Sequence, residues 1–322
     1  MTEQRYGVTI PLTGASLMDQ RAWIEELPDL GYTDVWSAEV DGIDAFTPLL
    51  LASQWAPSLR LGPAIVPIYT RGPALIAQSA AALAIESGGN FVLGLGTSSN
   101  VIVERWNGIP FEKPYQRMVD TVRFTRKALT GEKIAEDYGS FSIKGFRLSA
   151  VPAEPPKILV AALREGMLRL AGREADGAII NWLSPDDVKQ VAPVVQAFGD
   201  DKEIVARIFV LATDDADTAR GMAKSMIAAY LNVPVYAAFH EWLGRGEQLK
   251  PMWDAWQSGD RKGALAVIPD SVVDELVVWG PPEKIKETVQ RYIDNGVTCP
   301  APMVIPMRGG DPFQPIRDLG RR

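Results

Sequence analysis

A short apolar run that ends in spaced glycines and hydroxyl residues is the stretch best suited to ligand chemistry. It reads Phe91-Val92-Leu93-Gly94-Leu95-Gly96-Thr97-Ser98-Ser99-Asn100. Gly96 allows a close approach to the backbone, because no Cβ stands in the way. Thr97, Ser98 and Ser99 offer N–H and O–H donors that suit a phosphate or a ring carbonyl. The pattern predicts a buried strand whose end opens onto a ligand.

The two glycines do not form a dinucleotide-binding fingerprint. Ser99 stands where the third glycine of that motif belongs, and no early βαβ unit is built around the stretch. Taken alone, Gly94-x-Gly96 is more typical of a tight turn from strand to loop. The elements around it must decide whether it also binds a ligand.

Bulk composition restricts the class of protein. The 322 residues are 47% hydrophobic and 23% charged, with a formal net charge of −7. These values predict a globular protein with a large core, and they argue against nucleic acid or an anionic membrane as a partner. Cys299 is the only cysteine, so an intrachain disulfide is excluded. With no signal-peptide pattern and no apolar run of about 20 residues, we expect a cytoplasmic protein.

The single histidine limits the possible chemistry. His240 lies in an aromatic segment, Val235 to Trp242. One histidine excludes metal sites built on histidine pairs and most Ser/His or Cys/His triads, so no metal site is expected. We expect His240 to be a half-exposed helix residue.

Short apolar segments alternate with helical patterns along most of the chain. Strands are predicted at residues 6–10, 32–38, 61–68, 91–96, 157–162, 176–181, 204–212 and 302–306. Eight such repeats favour an α/β fold, a (β/α)8 TIM barrel, with a doubly wound sheet as the alternative. We expect residues 1–322 to form a single domain, with insertions at about 131–156, a hairpin or loop, and at about 231–279, short helices. The tail after Arg308 is expected to be loosely held.

A barrel would bring the strand ends together at one face. The ligand site of such a barrel lies at the carboxyl ends of its strands. The residues predicted to meet there are Glu39, Ala64 to Tyr69, Gly96 to Ser99, Ala161 to Arg164, and Asn181-Trp182.

These strand ends resemble the luciferase-like flavin and deazaflavin oxidoreductases, and most of all the branch that uses coenzyme F420. The resemblance runs from about Tyr6 to Leu183, with a weaker match at Gly280-Pro281-Pro282. The order and spacing of the matching pieces make the resemblance specific. The matching pieces are Leu30 to Glu39, Asp44 to Leu49, Arg60 to Ile65, Arg71-Gly72-Pro73, Leu93 to Ser99, Trp106-Asn107-Gly108 and Ala171 to Gly177.

The resemblance implies where a cofactor would lie. It implies a cis peptide at Ala64–Ile65 that backs the tricyclic ring, the alternative being an ordinary trans strand end. It implies a phosphate site at the loop after the fourth strand and the helix start after the fifth. The residues implied in cofactor binding are Glu39, Ala64, Ile65, Gly96, Thr97, Ser98, Ser99, Ala161, Ala162, Leu163 and Arg164. A surface ion pair of Arg164 with Glu165 or Glu203 is the alternative role for that arginine.

Departures from the family pattern bear on the reaction. Dehydrogenases of the family carry an Asp-His or similar pair where this chain has Glu39-Val40, and a glutamate where it has Ser99. A dehydrogenase needs a base for the hydroxyl proton, so their absence favours a reductase. Glu39 is then the first candidate for a ring contact or for proton supply, and Tyr69 the second. The alternatives are an ion pair at the barrel mouth for Glu39 and packing for Tyr69.

Three functions remain open at this stage. The first is an F420-dependent oxidoreductase that transfers hydride between the deazaflavin C5 and a small organic substrate. The second is an FMN-dependent monooxygenase, and the third is a deazaflavin-binding protein without turnover. Aromatic residues of the second insertion either line an apolar substrate pocket or pack its core: Tyr236, Phe239, Trp242, Trp253 and Trp256. By analogy with the family, a homodimer is expected.

Overall fold

The structure is a computed structural model that describes residues 4–307 and 309–322. Strands and helices alternate through the first half of the chain. Its elements are β1 (Gly7–Thr9), α1 (Arg21–Glu26), β2 (Asp34–Ser37), α2 (Phe46–Trp55), β3 (Arg60–Pro63), β4 (Val66–Pro67), α3 (Pro73–Glu86), β5 (Val92–Gly96), a π-helical turn (Val101–Trp106) and α4 (Pro114–Ala128).

The second half continues the alternation and holds both insertions. Its elements are β6 (Ile134–Asp137), β7 (Ser142–Phe146), β8 (Lys157–Ala161), α5 (Glu165–Glu174), β9 (Gly177–Asn181), α6 (Val188–Gln196), β10 (Glu203–Leu211), α7 (Ala216–Leu231), α8 (Pro234–Trp242), α9 (Gly246–Gln257), α10 (Arg261–Ala266), α11 (Asp270–Leu276), β11 (Val278–Trp279), α12 (Pro282–Asp294), β12 (Cys299–Val304) and α13 (Gln314–Asp318).

The strands form a parallel barrel. β1, β2 and β3 pair in that order, and β4, β5, β8, β9, β10 and β12 continue the ring. A bridge from Leu61 to Phe91 links β3 with the start of β5. The last strand, β12, packs against β1 without a strand ladder between them in the described residues, and the Gln4 Nε2 group donates to the Thr298 carbonyl at 2.7 Å. The predicted (β/α)8 barrel is confirmed, and the doubly wound alternative is wrong.

Two predicted boundaries need correction. The eighth strand begins at Cys299 rather than Pro302, because a strand bonded on one side only tolerates Pro300 and Pro302. The tail is held rather than loose over residues 309–322: the Tyr32 hydroxyl donates to the Ile316 carbonyl at 2.8 Å, and Arg321 N–H donates to the Leu30 carbonyl at 2.8 Å. Arg308 lies outside the described residues.

The two segments predicted as insertions differ in structure. Residues 131–156 hold an antiparallel hairpin of β6 and β7. The segment 231–279 holds the short helices α8 to α11 and ends in β11, which pairs with the end of β10.

A layer of large side chains fills the barrel below its mouth. Trp36 is fully buried there with Val205 and Cys299. A Cβ on Gly7 would lie 2.7 Å from the Trp36 indole nitrogen, and one on Gly62 would overlap the same ring. These glycines therefore make the room that the tryptophan occupies. The barrel interior is therefore filled by side chains beneath the strand ends.

Candidate active site at the carboxyl ends of the strands

A bulge at the mouth splits the third strand of the barrel into β3 and β4. The Ala64–Ile65 peptide is cis, as the resemblance implies, and it separates β3 from β4. Ala64 N–H donates to the Ser37 carbonyl at 2.6 Å, which fixes the bulge to the end of β2. Val66 and Pro67 then return to the sheet and pair with β5. The bulge thus presents Ile65 toward the interior without ending the strand.

Gly96 is needed for the bulge. A Cβ at this position would lie 2.6 Å from Ile65 Cδ1 and 3.3 Å from the Ala161 Cβ. The close approach that the sequence predicts is therefore made by Ile65, whose side chain fills the space. Any larger residue at Gly96 would displace the Ile65 side chain.

Two predicted loops meet at one edge of the mouth. β5 pairs with β8 in register, with Leu95 opposite Val160, so the segments after Gly96 and Ala161 start side by side. Ser98 has a φ of 61°, a left-handed conformation uncommon outside glycine. The helix α5 begins directly after Arg164, so its first free N–H groups face the same edge. The structure therefore brings together the two halves of the predicted phosphate site.

Arg164 is exposed and makes no ion pair within residues 4–307 and 309–322. The predicted ion-pair alternative is not formed. Glu165 pairs with Arg169 at 2.9 Å, and Glu203 lies at the opposite end of the barrel with Arg60 at 2.7 Å. Arg164 is therefore a positive charge available at a helix N-terminus, which is suitable for a phosphate.

The hydroxyl groups in the loop after β5 also form hydrogen bonds with the nearby backbone. Thr97 Oγ1 donates to the Ser98 carbonyl at 3.3 Å. Ser99 Oγ accepts from Ile102 N–H at 3.4 Å, at the start of the π-helical turn. These bonds hold the loop in place beside Ala162, which is buried, and Leu163, which is partly buried.

Glu39 is engaged in an ion pair at the barrel mouth. Arg71 donates through Nη2 to Oε2 at 2.7 Å and through Nε to Oε1 at 3.0 Å. Ala45 N–H also donates to Oε2, at 3.1 Å. The Arg71 guanidinium lies 5.0 Å from the centre of the Phe46 ring. The geometry favours the ion-pair alternative for this carboxylate.

Tyr69 is also engaged. Its hydroxyl donates to the Glu112 carbonyl at 2.6 Å, and its ring packs on Phe111 and beneath Arg117. Burial raises the pKa of the Tyr69 hydroxyl, an effect that the nearby Arg117 charge does not cancel. A weaker acid with its proton already bonded is a poor proton donor, so the geometry favours packing for Tyr69.

The strand β9, the sixth of the barrel, ends at a group of stacked aromatic side chains, called here the aromatic wall. Trp182 follows Asn181 with a φ of 54° and is buried. Its ring stacks on Phe209 with centroids 4.1 Å apart and lies 5.0 Å from Tyr230. Asn181 Nδ2 donates to the Tyr236 hydroxyl at 3.4 Å. The end of β9, predicted from the strand pattern, thus joins the mouth to the second insertion.

Arg207 is the site residue that the sequence predictions missed. It is the only charged residue in the interior of the β10 segment Ile204–Leu211. Its alternation with Val205, which faces the barrel interior, places it on that same face. A lone arginine at an inward position of an apolar strand is a signal that could have identified it.

His240 differs from the prediction. It is fully buried rather than half-exposed. Burial and the nearby Arg245 charge lower its pKa to about 4. In the described part of the chain, no group of three or more metal-ligating side chains is suited to hold an ion.

The predicted aromatic residues of the insertion divide into two groups. Tyr236 reaches the strand ends through Asn181. Phe239 is buried and stacks with Trp242, Trp253 Nε1 donates to the Leu231 carbonyl, and Trp256 stacks with Arg261. Most of the set therefore packs the insertion itself. Across the described residues, no helix combines the length and apolar character needed to cross a bilayer.

The chain is similar to known proteins over most of its length. A family profile described as luciferase-like monooxygenase matches residues 3–299. A 5,10-methylenetetrahydromethanopterin reductase of Methanolobus tindarius is 27% identical over 284 residues, which cover 83% of this chain and 84% of that protein.

Two solved structures show the fold. The coenzyme F420-dependent tetrahydromethanopterin reductase of Methanopyrus kandleri superposes with a TM-score of 0.81 at 20% identity, covering 99% of this chain and 98% of that one. A type II Baeyer–Villiger monooxygenase from Pseudomonas putida, solved with FMN, gives 0.66 at 16% identity, covering 99% and 97%. Given the profile match over nearly the whole chain, the protein belongs to the luciferase-like monooxygenase family.

Proposed function

We propose that this chain is an F420-dependent oxidoreductase, acting as a reductase on a small organic substrate. The observation that carries the proposal is the pairing of two features at the mouth. One is the Ala64–Ile65 bulge, seated on Gly96. The other is the positive edge formed by Arg164 and the start of α5. A flat ring and a phosphate need these two surfaces side by side.

The residues present fit such a cofactor. Arg164 and the N–H groups of α5 would hold the phosphate, with the Thr97–Ser99 loop alongside. Ile65 would support one face of the ring. When bound, the deazaflavin supplies hydride at its C5 position. The chain then has to orient the two partners and exclude water.

The side chains at the mouth favour reduction of the substrate over dehydrogenation of an alcohol. Val40 and Ser99 stand where family dehydrogenases carry a histidine and a glutamate. The carboxylate of Glu39 is held by Arg71, and the Tyr69 hydroxyl by Glu112. A hydroxyl proton would have no free base among these four residues. We propose that Glu39 and Tyr69 shape the mouth, with Glu39 contributing a polar contact to the ring.

The FMN-dependent alternative is supported by one observation. The FMN-bound monooxygenase shares the fold over nearly the full length of both chains. A bulge and an anion site would serve either cofactor. The solved reductase that is named as coenzyme F420-dependent gives the higher TM-score of the two and supports the deazaflavin.

The test is a pair of titrations. Purified protein is added to oxidised F420 and, separately, to FMN, and the quenching of each cofactor's fluorescence is followed. We expect saturable low-micromolar binding of F420 and at least tenfold weaker binding of FMN, followed by turnover of electron-poor acceptors by reduced F420.

Each other outcome points to a different function. Tight FMN binding alone, with oxygen uptake by the reduced complex, would make the protein a monooxygenase. F420 binding without turnover of any acceptor would make it a binding protein. If neither cofactor binds, the proposal is wrong.

We also propose a reducing compartment and a homodimer for this protein, each on its own observation. A lone buried thiol suits a reducing compartment such as the cytoplasm. Leu50 on α2 and Leu75 and Ile85 on α3 are exposed apolar side chains, which would suit a homodimer contact beside the second and third strands. Sedimentation velocity at micromolar concentration would give the assembly state.

A further inference from the structure

The interior of the barrel holds an arginine with no carboxylate partner. Arg207 lies on β10, in register with Asn181 of β9 and Ala301 of β12. No carboxylate oxygen comes within 4.0 Å of its guanidinium in residues 4–307 and 309–322. The two arginines that are more deeply buried, Arg60 and Arg245, each have two carboxylate partners.

The contacts that Arg207 does make are weak for a buried charge. Its Nη1 donates to the Ala64 carbonyl at 3.1 Å, and its Nη2 lies 3.0 Å from the Met303 sulfur. Its Nε is shielded from solvent and has no partner. A buried cation without a counter-charge is costly, so its retention needs a reason.

The groups around Arg207 do not compensate its charge either. Loss of hydration lowers the pKa of the Arg207 guanidinium, and the hydroxyls of Tyr230 and Tyr236 offset this only in part. Arg207 is partly rather than fully buried, and it lies on the inward face of β10. An incoming anion would therefore meet a charge that the protein has left uncompensated.

Flat side chains surround this charge on the insertion side. Phe209 follows Arg207 by two residues on the same face of β10 and stacks with Trp182. Tyr230 lies against both rings, and Tyr236 against Tyr230. The predicted phosphate edge is on β5 and β8, whereas Arg207 is on β10, beyond β9. A ligand held by Arg207 would thus lie against the aromatic wall, away from Arg164.

We propose that Arg207 binds the carboxylate of the organic substrate, and that the substrate is a flat unsaturated or aromatic acid. A guanidinium recognises a carboxylate through two parallel N–H···O hydrogen bonds, which would replace the weak contacts that Arg207 makes here. This inference rests on the proposed function in assigning the anion to a substrate. The shared chemistry, a polar oxygen, could also come from a ring carbonyl of the cofactor, and the test separates these sources.

The experiment compares acids with their uncharged amides. Benzoate, trans-cinnamate and nicotinate, each beside its amide, are titrated calorimetrically into the F420-loaded protein and into the cofactor-free protein. We expect at least one acid to bind at least tenfold more tightly than its amide in the loaded protein. Arg207→Gln should abolish that preference, and Arg207→Lys should retain part of it.

Control measurements keep folding and cofactor effects apart. Arg291→Gln removes a surface arginine paired with Asp186 and should leave the acid preference unchanged. Circular dichroism and thermal unfolding establish that each variant is folded, and the wild-type comparison does not depend on any variant. F420 affinity should change less than threefold in Arg207→Gln.

Several results would overturn the proposal. One is equal or weaker binding of all three acids relative to their amides in the wild type. Another is a preference that survives in folded Arg207→Gln. A tenfold loss of F420 affinity in that variant, with no acid preference, would assign Arg207 to the cofactor. If wild type binds no F420 but still prefers acids through Arg207, the proposed cofactor fails while the anion site stands.

Discussion

At the scale of single residues, the Glu39–Arg71 pair decides between two roles for the mouth carboxylate. Both side chains are mostly buried, and Arg71 also lies 3.6 Å from Asp44. Burial opposes but does not overcome the effect of the Glu39 bond, which raises the pKa of Arg71. We expect a double-mutant cycle of Glu39→Gln and Arg71→Gln to give a coupling of about 1–2 kcal/mol in urea unfolding.

The same variants test catalysis. If Glu39 shapes the mouth, Glu39→Gln and Arg71→Gln should each lower turnover with reduced F420 by less than about tenfold, since neither removes a reacting proton. A loss of more than a hundredfold confined to Glu39→Gln, with cofactor affinity unchanged, would instead make Glu39 the proton source.

His240 predicts a pH dependence of stability. Its pKa is lowered from 6.5 to about 4 in the folded chain, so the unfolded chain takes up the proton first as pH falls. Stability is therefore complete above about pH 6.5 and declines toward pH 4, by about 3 kcal/mol. Urea unfolding between pH 7 and pH 4 should show this slope in the wild type. His240→Phe should flatten it, and an unchanged slope in a folded variant would contradict the assignment.

At the scale of elements, the start of α5 offers a matched pair of arginines. Arg164 precedes the helix and is unpaired within the described chain, whereas Arg169 lies one turn further on and pairs with Glu165. We expect Arg164→Gln to weaken F420 binding about five- to tenfold, because it removes a charge-assisted contact to phosphate. Arg169→Gln should change the affinity less than twofold. The measurement is fluorescence quenching at 50 and 300 mM salt.

The salt dependence distinguishes the cause. The difference between the two variants should shrink at high salt, since an exposed charge is screened. Equal effects of both substitutions would mean that α5 contributes only a general positive field.

The elements also show what sequence patterns can and cannot reveal. Alternating apolar runs located all eight barrel strands, because period and length are local properties. The start of β12 was missed because Pro300 and Pro302 resemble a loop. The ends of the strands could be predicted as the site, since a barrel places them there. What could not be predicted was pairing across the barrel: that Arg71 takes Glu39, that Ile65 fills the space above Gly96, and that Arg207 has no partner.

At the scale of the whole molecule, an ion cluster ties the base of the barrel together. Arg60 on β3 bonds Asp34 on β2 at 2.5 Å and Glu203 on β10 at 2.7 Å, and Glu203 also bonds Lys157 on β8 at 2.8 Å. Four strands on different sides of the barrel thus share one network. Burial alone would raise the pKa of Glu203, but Arg60 and Lys157 outweigh it and lower the pKa.

This cluster predicts acid sensitivity at lower pH than that of His240. The stabilisation from Glu203 is present above its ordinary pKa of 4.5 and is lost as pH falls below that value. At pH 7, Glu203→Gln should lower the free energy of unfolding by about 1–3 kcal/mol. Near pH 3.5 the difference from the wild type should narrow. A difference that stays constant with pH would show that packing, not charge, is lost.

The rate at which the single thiol is labelled would measure how often this barrel opens. Cys299 is fully buried, starts β12 beside β1, and its pKa is raised by burial. Since no other thiol exists in the chain, a disulfide reagent such as DTNB can react only when the strands around it part. Labelling should be on the order of a thousandfold or more slower in buffer than in urea, and slower still with F420 bound. A fast reaction of the folded protein would mean that the first and last strands separate often enough to expose Cys299 to the reagent.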